Sequence, residues 1–434
     1  MNSANNPIER CLTILAEAIR RPCRRTVGGF SALAVCLVLA TFAQAQDESS
    51  GPSERQDRPV RNRAVIESLK IQKDLSRSAA KPTGREYDTF DDMRQRKIAA
   101  DPALIDKVAK YHVYKLTDPN ELADLTRHAD LIMRDVRGAS VAGNSKQLSV
   151  EFLKAYKASL FKYLKDLTDN NFVVRINALV LIERLYDPKS VNIHDGVPIL
   201  LEVLGDKKQE EAVRYLALSG LDAAKEVGQA RVVDERKAVN AILDMASEPD
   251  VQEVTLEQLV TTLGNLERPH RGDIAERAEV GKFLADTALD TNMPARVRVA
   301  AGISLGKLQT SGIRGWNFRL QSVVMGKALQ ALIDAHTAVF INDEKYRHLA
   351  LRLGLAIGAM KREMADNTSV SEEEKKDVTE FTQIAFAVIT QIIDRADVNI
   401  DPLQEWLKKN DNPQQKRLAP RAGDLVMIGQ KPAG

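Results

Sequence analysis

Cysteine is nearly absent from this chain of 434 residues, and the three present, Cys11, Cys23 and Cys36, all fall near its start. If the leader described below is removed, none remains. That excludes disulfides, cysteine-bound zinc, iron–sulfur clusters, covalent haem attachment and thiol catalysis. Histidine is sparse too: the six, at 112, 128, 194, 270, 336 and 348, never pair at i+3 or i+4 as a helical metal site needs. Neither a metal nor a cofactor is expected. Aromatic residues make up only 5% of the chain, so any core must be aliphatic. Neither sign of charge is in excess, the whole sequence carrying +2. The leader, with five arginines and two glutamates, contributes +3 of this and leaves −1 for the remainder. Near-neutrality argues against nucleic acid as a partner, because holding phosphates takes a basic surface.

Catalytic signatures are missing as well. There is no Gly-x-Ser-x-Gly elbow. Asp397-Val-Asn399-Ile-Asp401 opens like a calcium loop, but Pro402 stands where glycine is required and Lys408 where the closing glutamate belongs. Gly302-Ile-Ser-Leu-Gly306-Lys307-Leu308 is one residue short of a phosphate loop and has Leu308 in place of the hydroxyl. Its glycines are read instead as points of close helix packing. Arg271-Gly272-Asp273 matches an adhesion tripeptide, but three residues carry no weight alone.

The opening residues read as an address. Arg20, Arg21, Arg24 and Arg25 precede an apolar run over 30–42, followed by Ala43-Gln44-Ala45 and then acidic Asp47 and Glu48. A basic start, a short apolar core and a small-x-small site describe a secretory signal peptide cleaved after Ala45. The core falls short of the ~20 residues that span a bilayer. The alternative is an uncleaved membrane anchor, since 27–45 holds no charge. A twin-arginine signal fails on Thr26-Val27-Gly28-Gly29, and a lipoprotein box fails on Val35 before Cys36. The chain is therefore expected to be periplasmic or secreted, touching a membrane only through a retained leader.

Residues 46–100 are polar and broken by Pro52, Pro59 and Pro82, and are expected to form a largely disordered linker. From Asp101 the pattern turns helical. Two amphipathic segments, 103–115 and 120–136, flank Thr117-Asp118-Pro119, where Asp118 or Thr117 can cap and Pro119 can start the next turn. This pair is expected to be an N-terminal cap over 101–147.

Next comes a phrase that recurs. Val174-Arg175 leads to Ala178-Leu179, Val213-Arg214 to Ala217-Leu218, Val297-Arg298 to Ala301-Gly302, and Tyr346-Arg347 to Ala350-Leu351. A degenerate copy begins at Val251, with Gln252 for the arginine and Thr255 for the alanine. The phrases fall in inner helices expected over 173–185, 212–224, 251–263, 295–308 and 345–360. Outer helices over 150–167, 197–204, 235–246, 278–289 and 322–339 alternate with them, and no strand-type alternation competes. A repeat of tens of residues sets architecture, because one such unit cannot bury its own apolar face. The alanines would let inner helices approach, and leucines three or four positions on would fill the layer between.

Carboxylates precede the arginines: Asp169 before Arg175, Asp206 before Arg214, Asp290 before Arg298 and Asp343 before Arg347. They are expected to align as a structural ladder of charge-assisted hydrogen bonds. His194-Asp195 is expected to cap the helix starting near Gly196.

The turn aspartate, the Val-Arg pair, the alanine three residues later and a period near forty resemble the HEAT-repeat family over 148–398. The resemblance implies an all-α protein, a curved α-solenoid of about five antiparallel helix pairs that binds proteins. Segment 381–393 would seal its C-terminal end, and 399–434 would be a tail with Pro402, Pro413, Pro420 and Pro432. Missing arginine at Gln252 and longer later steps depart from the family pattern.

Two inter-repeat loops are candidate binding sites. One carries Arg268, His270 and Arg271; the other carries Arg314, Trp316, Phe318 and Arg319 in a glycine-rich setting. Tryptophan and arginine are common interface anchors. The competing expectation is that Trp316 and Phe318 fold back over the neighbouring repeat. The function expected is a non-enzymatic exported scaffold that binds a protein. An enzyme or ligand-binding protein of the envelope on the same fold, or a tethered spacer, are the alternatives.

Overall fold

The computed structural model describes residues 73–140, 146–271, 278–339, 344–411 and 417–418. The leader, the linker up to residue 72, Asp343, the Gly272-Asp273 pair and the last residues of the tail lie outside them. Among the described residues there are fifteen α-helices, a few 3-10 turns and no strand.

Contacts divide the chain into two compact units, the break falling between Ala238 and Val239. Helices of the first are α1 (Gly84–Arg94), α2 (Pro102–Tyr114), α3 (Leu125–Ser140), α4 (Lys146–Lys165), α5 (Phe172–Leu185), α6 (Gly196–Gly205) and α7 (Glu211–Glu226). The break itself lies within α8 (Val232–Ala246). The second holds α9 (Glu253–Leu266), α10 (Glu279–Leu289), α11 (Ala295–Gly306), α12 (Phe318–Val339), α13 (Glu344–Asp366), α14 (Glu372–Asp394) and α15 (Asp401–Asn410).

Local chemistry starts the helices where the sequence says it should. Thr83 and Glu86 form a capping box on α1, Asp101 accepts from Ala103 N and Leu104 N ahead of Pro102, and Asn171 and Ser371 cap α5 and α14. Asp118 accepts from Asn120 N as expected, but Pro119–Asp124 is a 3-10 turn and the α-helix begins only at Leu125.

In the first unit α5 packs on both α3 and α7, and α6 packs on α7. In the second, α11 lies against α9, α10, α12 and α13, while α12 also meets α10, α14 and α15. The repeated phrase explains these contacts. Val174, Ala178, Val213, Ala217, Val297, Ala301 and Ala350 are fully buried, each on the helix that carries the phrase.

Helix α11 is buried along almost its whole length because its small residues meet backbone. A Cβ on Gly302 would fall 2.5 Å from Ala328 Cβ of α12, and one on Gly306 would fall 2.7 Å from the Ala356 carbonyl oxygen of α13. From the other side, a Cβ on Gly264 of α9 would fall 2.7 Å from Ser304 Cα. The glycines of the false phosphate loop are thus packing residues.

Three expectations need correction. The linker does not reach residue 100: α1 buries Phe90 and Met93, and the aspartates and arginines around them hid a two-residue apolar face. Nor does the tail begin at Asn399, since α15 buries Leu403, Trp406 and Leu407 and sets Trp406 against Phe381, ring centroids 5.0 Å apart. Pro402 starts that helix, where its missing N–H costs nothing.

The third correction concerns the ladder, because the described aspartates do not pair with the arginines. Arg175 donates to Gln209 Oε1 at 2.5 Å and Glu210 Oε1 at 2.7 Å, the latter being the N-cap of α7. Arg214 Nε donates to Leu204 O and Arg298 Nε to Ala288 O, both at 3.1 Å. Each thereby caps the C-terminal end of the preceding helix, where carbonyls lack partners and a cation suits the dipole. Asp206 and Asp290 turn back to the N–H groups of Lys208 and Asn292, both at 2.9 Å. A carboxylate at the head of a turn satisfies its own loop first, since that bond closes over two residues. Arg347 lies half-buried and its Nε has no partner, while Asp343 is outside the described residues.

Candidate functional site

The two loops singled out by sequence come together in the second unit. After α9 the chain turns through Glu267, which takes a left-handed conformation at φ 60°. The Glu267 carbonyl accepts from Gln309 N at 2.9 Å and its carboxylate accepts from Gln309 Nε2 at 2.8 Å. Lys307 Nζ reaches Asn265 Oδ1 at 2.8 Å, so the loop after α11 is fastened beside the loop after α9.

The C-terminal end of α13 closes the same edge. Glu363 accepts from Thr310 N and Ser311 N at 2.7 and 2.8 Å, as an anion would in a nest of backbone amides. Asn367 Nδ2 donates to Ile313 O at 3.0 Å, and Ser369 Oγ accepts from Gly315 N at 3.1 Å. This fastening aims Trp316 inward, where it is 2% exposed. Its Nε1 donates to Gln321 Oε1 at 2.8 Å, and Gln321 Nε2 donates at 2.8 Å to Leu305 O near the end of α11.

Of the seven residues expected to bind, most are used internally. Trp316 and Phe318 are buried, so the fold-back expectation holds and free aromatic anchors do not. An indole in a tight loop gains more from covering an adjacent helix pair than from standing in water. Arg319 pairs with Asp377 and, at 3.2 Å, Glu373 in the first turns of α14. Arg271 donates to Asn240 Oδ1 at 3.0 Å and Asp244 Oδ1 at 2.6 Å. Arg268 and His270 are half-buried, and Arg314 alone of the seven stands exposed.

Sequence reasoning missed two members of this edge. Gly281, in the first turn of α10, accepts the edge of the Trp316 ring on its bare backbone: a Cβ there would fall 2.7 Å from the ring's Cη2. Leu418 lies beside it, 5% exposed, its carbonyl accepting from Asn317 N at 2.8 Å. The signal for Leu418 was a single apolar residue in a polar, proline-rich stretch, too faint for periodicity to find.

The first unit holds a second polar concentration that sequence did not flag. Asp135 on α3 is 5% exposed, with charged and titratable side chains gathered around it at ion-pair distance. Around it stand Arg94 Nε of α1 at 3.9 Å, Arg134 of α3 at 3.8 Å and His112 Nδ1 of α2 at 3.9 Å. The imidazole sits between Tyr87 Oη and Tyr156 Oη, each at 3.4 Å. Burial raises the Asp135 carboxyl to about 6 despite Arg94 and Arg134, with Asp91 adding to the rise. Burial also lowers His112 to about 4, helped by His128 and Arg134. At neutral pH this is a carboxylate facing an uncharged imidazole.

The two groups pull stability in opposite directions. For Asp135 the folded chain holds the proton more tightly, so its contribution is favourable in acid and is lost as pH rises from 3.8 to about 6. For His112 the unfolded chain holds the proton more tightly, so stability grows as pH rises from about 4 to 6.5. In the native chain these slopes offset. His112→Gln should therefore lose up to about 2–3 kcal/mol of stability between acid and neutral pH, and Asp135→Asn should gain about as much. Urea titrations of both variants at pH 4 and 7 read this directly; slopes of one sign would refute it.

His194 does not cap α6. Its Nδ1 meets Gln229 O at 2.9 Å and its Nε2 lies 3.5 Å from Asp234, because Asp195 is already in helical conformation and no side chain caps that end. Among the described residues no three side chains of metal-binding type converge, and no helix is long and apolar enough to cross a membrane. No family model, curated protein or solved structure matches this chain.

Proposed function

We propose that this chain is an exported, non-enzymatic helical-repeat scaffold that binds a protein partner. Its helices are read as a HEAT-like solenoid of about five antiparallel pairs, capped at each end by further helices. One observation supports this most directly. In the second unit α11 packs on α9 and α13 while α12 packs on α10 and α14, so helices two apart in sequence are neighbours in space. Stacked hairpins make that pattern, and they gather successive loops along one edge, the usual place for a binding face. The fastened loops after α9, α11 and α13 form such an edge.

Affinity capture from an envelope fraction tests the reading. One protein recovered in fixed ratio with the full chain is the expected result. N-terminal sequencing should find a chain beginning at Gln46; a retained leader would favour the membrane-tethered spacer instead. A ligand-binding protein is the second reading, favoured by the buried Asp135 carboxylate beside His112. It predicts a reproducible small-molecule thermal shift that Asp135→Asn abolishes.

A further inference from the structure

One row of helices in the second unit stops at α13. Helix α11 packs on α9 and α13, and α12 packs on α10 and α14, but the next helix, α15, packs on α12 and α14 instead of extending the first row. The seam between α13 and α14 keeps exposed members. Leu355 is 43% exposed, Arg362 is exposed, and Arg352, Gly358 and Phe386 are half-buried. A Cβ on Gly354 would lie 3.8 Å from Phe386 Cε1, and one on Gly358 would lie 3.8 Å from Phe386 Cζ and 4.0 Å from Arg362 Nη1. Arg352, Leu355, Gly358 and Arg362 follow one another at three or four residues, which puts them on one helix face.

The helix that carries this face is basic along its middle. From Lys345 to Arg362 it holds five lysines or arginines, at 345, 347, 352, 361 and 362, and no carboxylate. Acidic residues stand only at its ends, as Glu344, Glu363 and Asp366, and Glu363 is held by the amides of Thr310 and Ser311. Across the seam, α14 carries one carboxylate between Val378 and Ile393, that of Glu380, which lies 3.9 Å from Lys409. Among the described residues no carboxylate pairs with Arg352 or Arg362.

We propose that this face of α13, with Phe386 of α14 beside it, is the docking site for an acidic amphipathic helix of a protein partner. The partner's apolar stripe covers Leu355, Gly358 and Phe386, the bare Gly358 letting it come close. Its carboxylates meet Arg352 and Arg362, which stand about 15 Å apart along α13 at 1.5 Å per residue. Other occupants suit the face less well. A second copy offering the same surface would oppose like charges, and residues 412–434 bring Lys416, Arg417, Arg421 and Lys431 against Asp424 alone. Residues 46–72 carry five charges of each sign. One exposed leucine gives a bilayer little to hold. The inference rests on the scaffold reading and names the chemistry of the partner.

Fluorescence anisotropy with the full chain tests it. Three labelled peptides of about 18 residues serve as probes, long enough to turn helical on binding. The first has leucines along one face and glutamates at both ends of that face; the second has lysine for each glutamate, and the third serine for each leucine. The glutamate peptide should bind saturably and be weakened by salt. The lysine and serine peptides should each bind about ten-fold more weakly or worse. Arg352→Glu combined with Arg362→Glu should lose the glutamate peptide and gain the lysine one, whereas Arg127→Glu, at an exposed position of the first unit, should change neither. If the double variant does not fold, the unaltered chain decides: no saturable binding of the glutamate peptide overturns the proposal, as does equal binding of the glutamate and serine peptides. Phosphatidylglycerol vesicles or single-stranded DNA that bind more tightly than the peptide, through the same two arginines, would make the face a phosphate surface and overturn it too. A chain that ignores every peptide yet co-purifies with one partner in fixed ratio would lose this face and keep the scaffold.

Discussion

Gly306→Ala is expected to destabilise the second unit, although alanine is the better helix former by about 1 kcal/mol. The added Cβ would fall 2.5 Å from Met325 Cε, 2.7 Å from the Ala356 carbonyl oxygen and 2.9 Å from its carbon. Methionine can swing aside, but the backbone of α13 cannot. Overpacking of this kind costs about 1–3 kcal/mol, and the bulkier Gly306→Val should exceed that range. Gly358, on α13, is the internal control: its nearest outside atoms are Phe386 Cζ at 3.8 Å and Arg362 Nη1 at 4.0 Å, ordinary contact distances. Gly358→Ala should be neutral or mildly stabilising. Thermal melts of the pair should move in opposite directions, by roughly 2–4 °C for each kcal/mol. Equal behaviour would mean that α11 and α13 do not touch where the geometry brings them together.

Trp316→Ala should cost about 3–5 kcal/mol, the range for removing a buried large aromatic. The indole is 2% exposed, lies on Gly281 and donates to Gln321, so its loss opens a cavity and leaves Gln321 Oε1 without a donor. Trp316→Phe should recover most of the packing but not the hydrogen bond. Denaturant titrations of both variants separate these contributions. A variant with alanine that melts like the parent would return Trp316 to the role of an exposed anchor.

These predictions rest on features that differ in how plainly the sequence carries them. The inner and outer helices were legible because apolar spacing near 3.6 repeats through each of them. The expected outer segment 278–289 is observed as Glu279–Leu289 and the inner segment 295–308 as Ala295–Gly306. Alanine in the recurring phrase announced close approach, and Ala178, Ala217, Ala301 and Ala350 are all fully buried. By contrast α1 and α15 were read as linker and tail. Each buries only two or three side chains, so charge and proline dominated their composition.

The candidate edge was half legible. Its loops stood out by glycine, arginine and tryptophan, but which way Trp316 points was settled by Glu363, Asn367 and Gly281, some 35 to 50 residues away in sequence. The ladder failed for a related reason: Asp206 and Arg214 are near in sequence, but a backbone amide and a helix-end carbonyl were nearer in space.

By itself, then, the amino-acid order determined the helical class, the positions of most helices and the absence of cysteine beyond residue 36. Periodicity and composition are local properties and need no partner to be read. Only the tertiary structure decided what the polar groups do: the arginines cap helix ends, Asp135 is buried beside His112, and Leu418 closes on Gly281 and Asn317. A charged or apolar side chain commits to whichever partner folding brings within a few ångströms, and that choice is made between segments far apart in the chain.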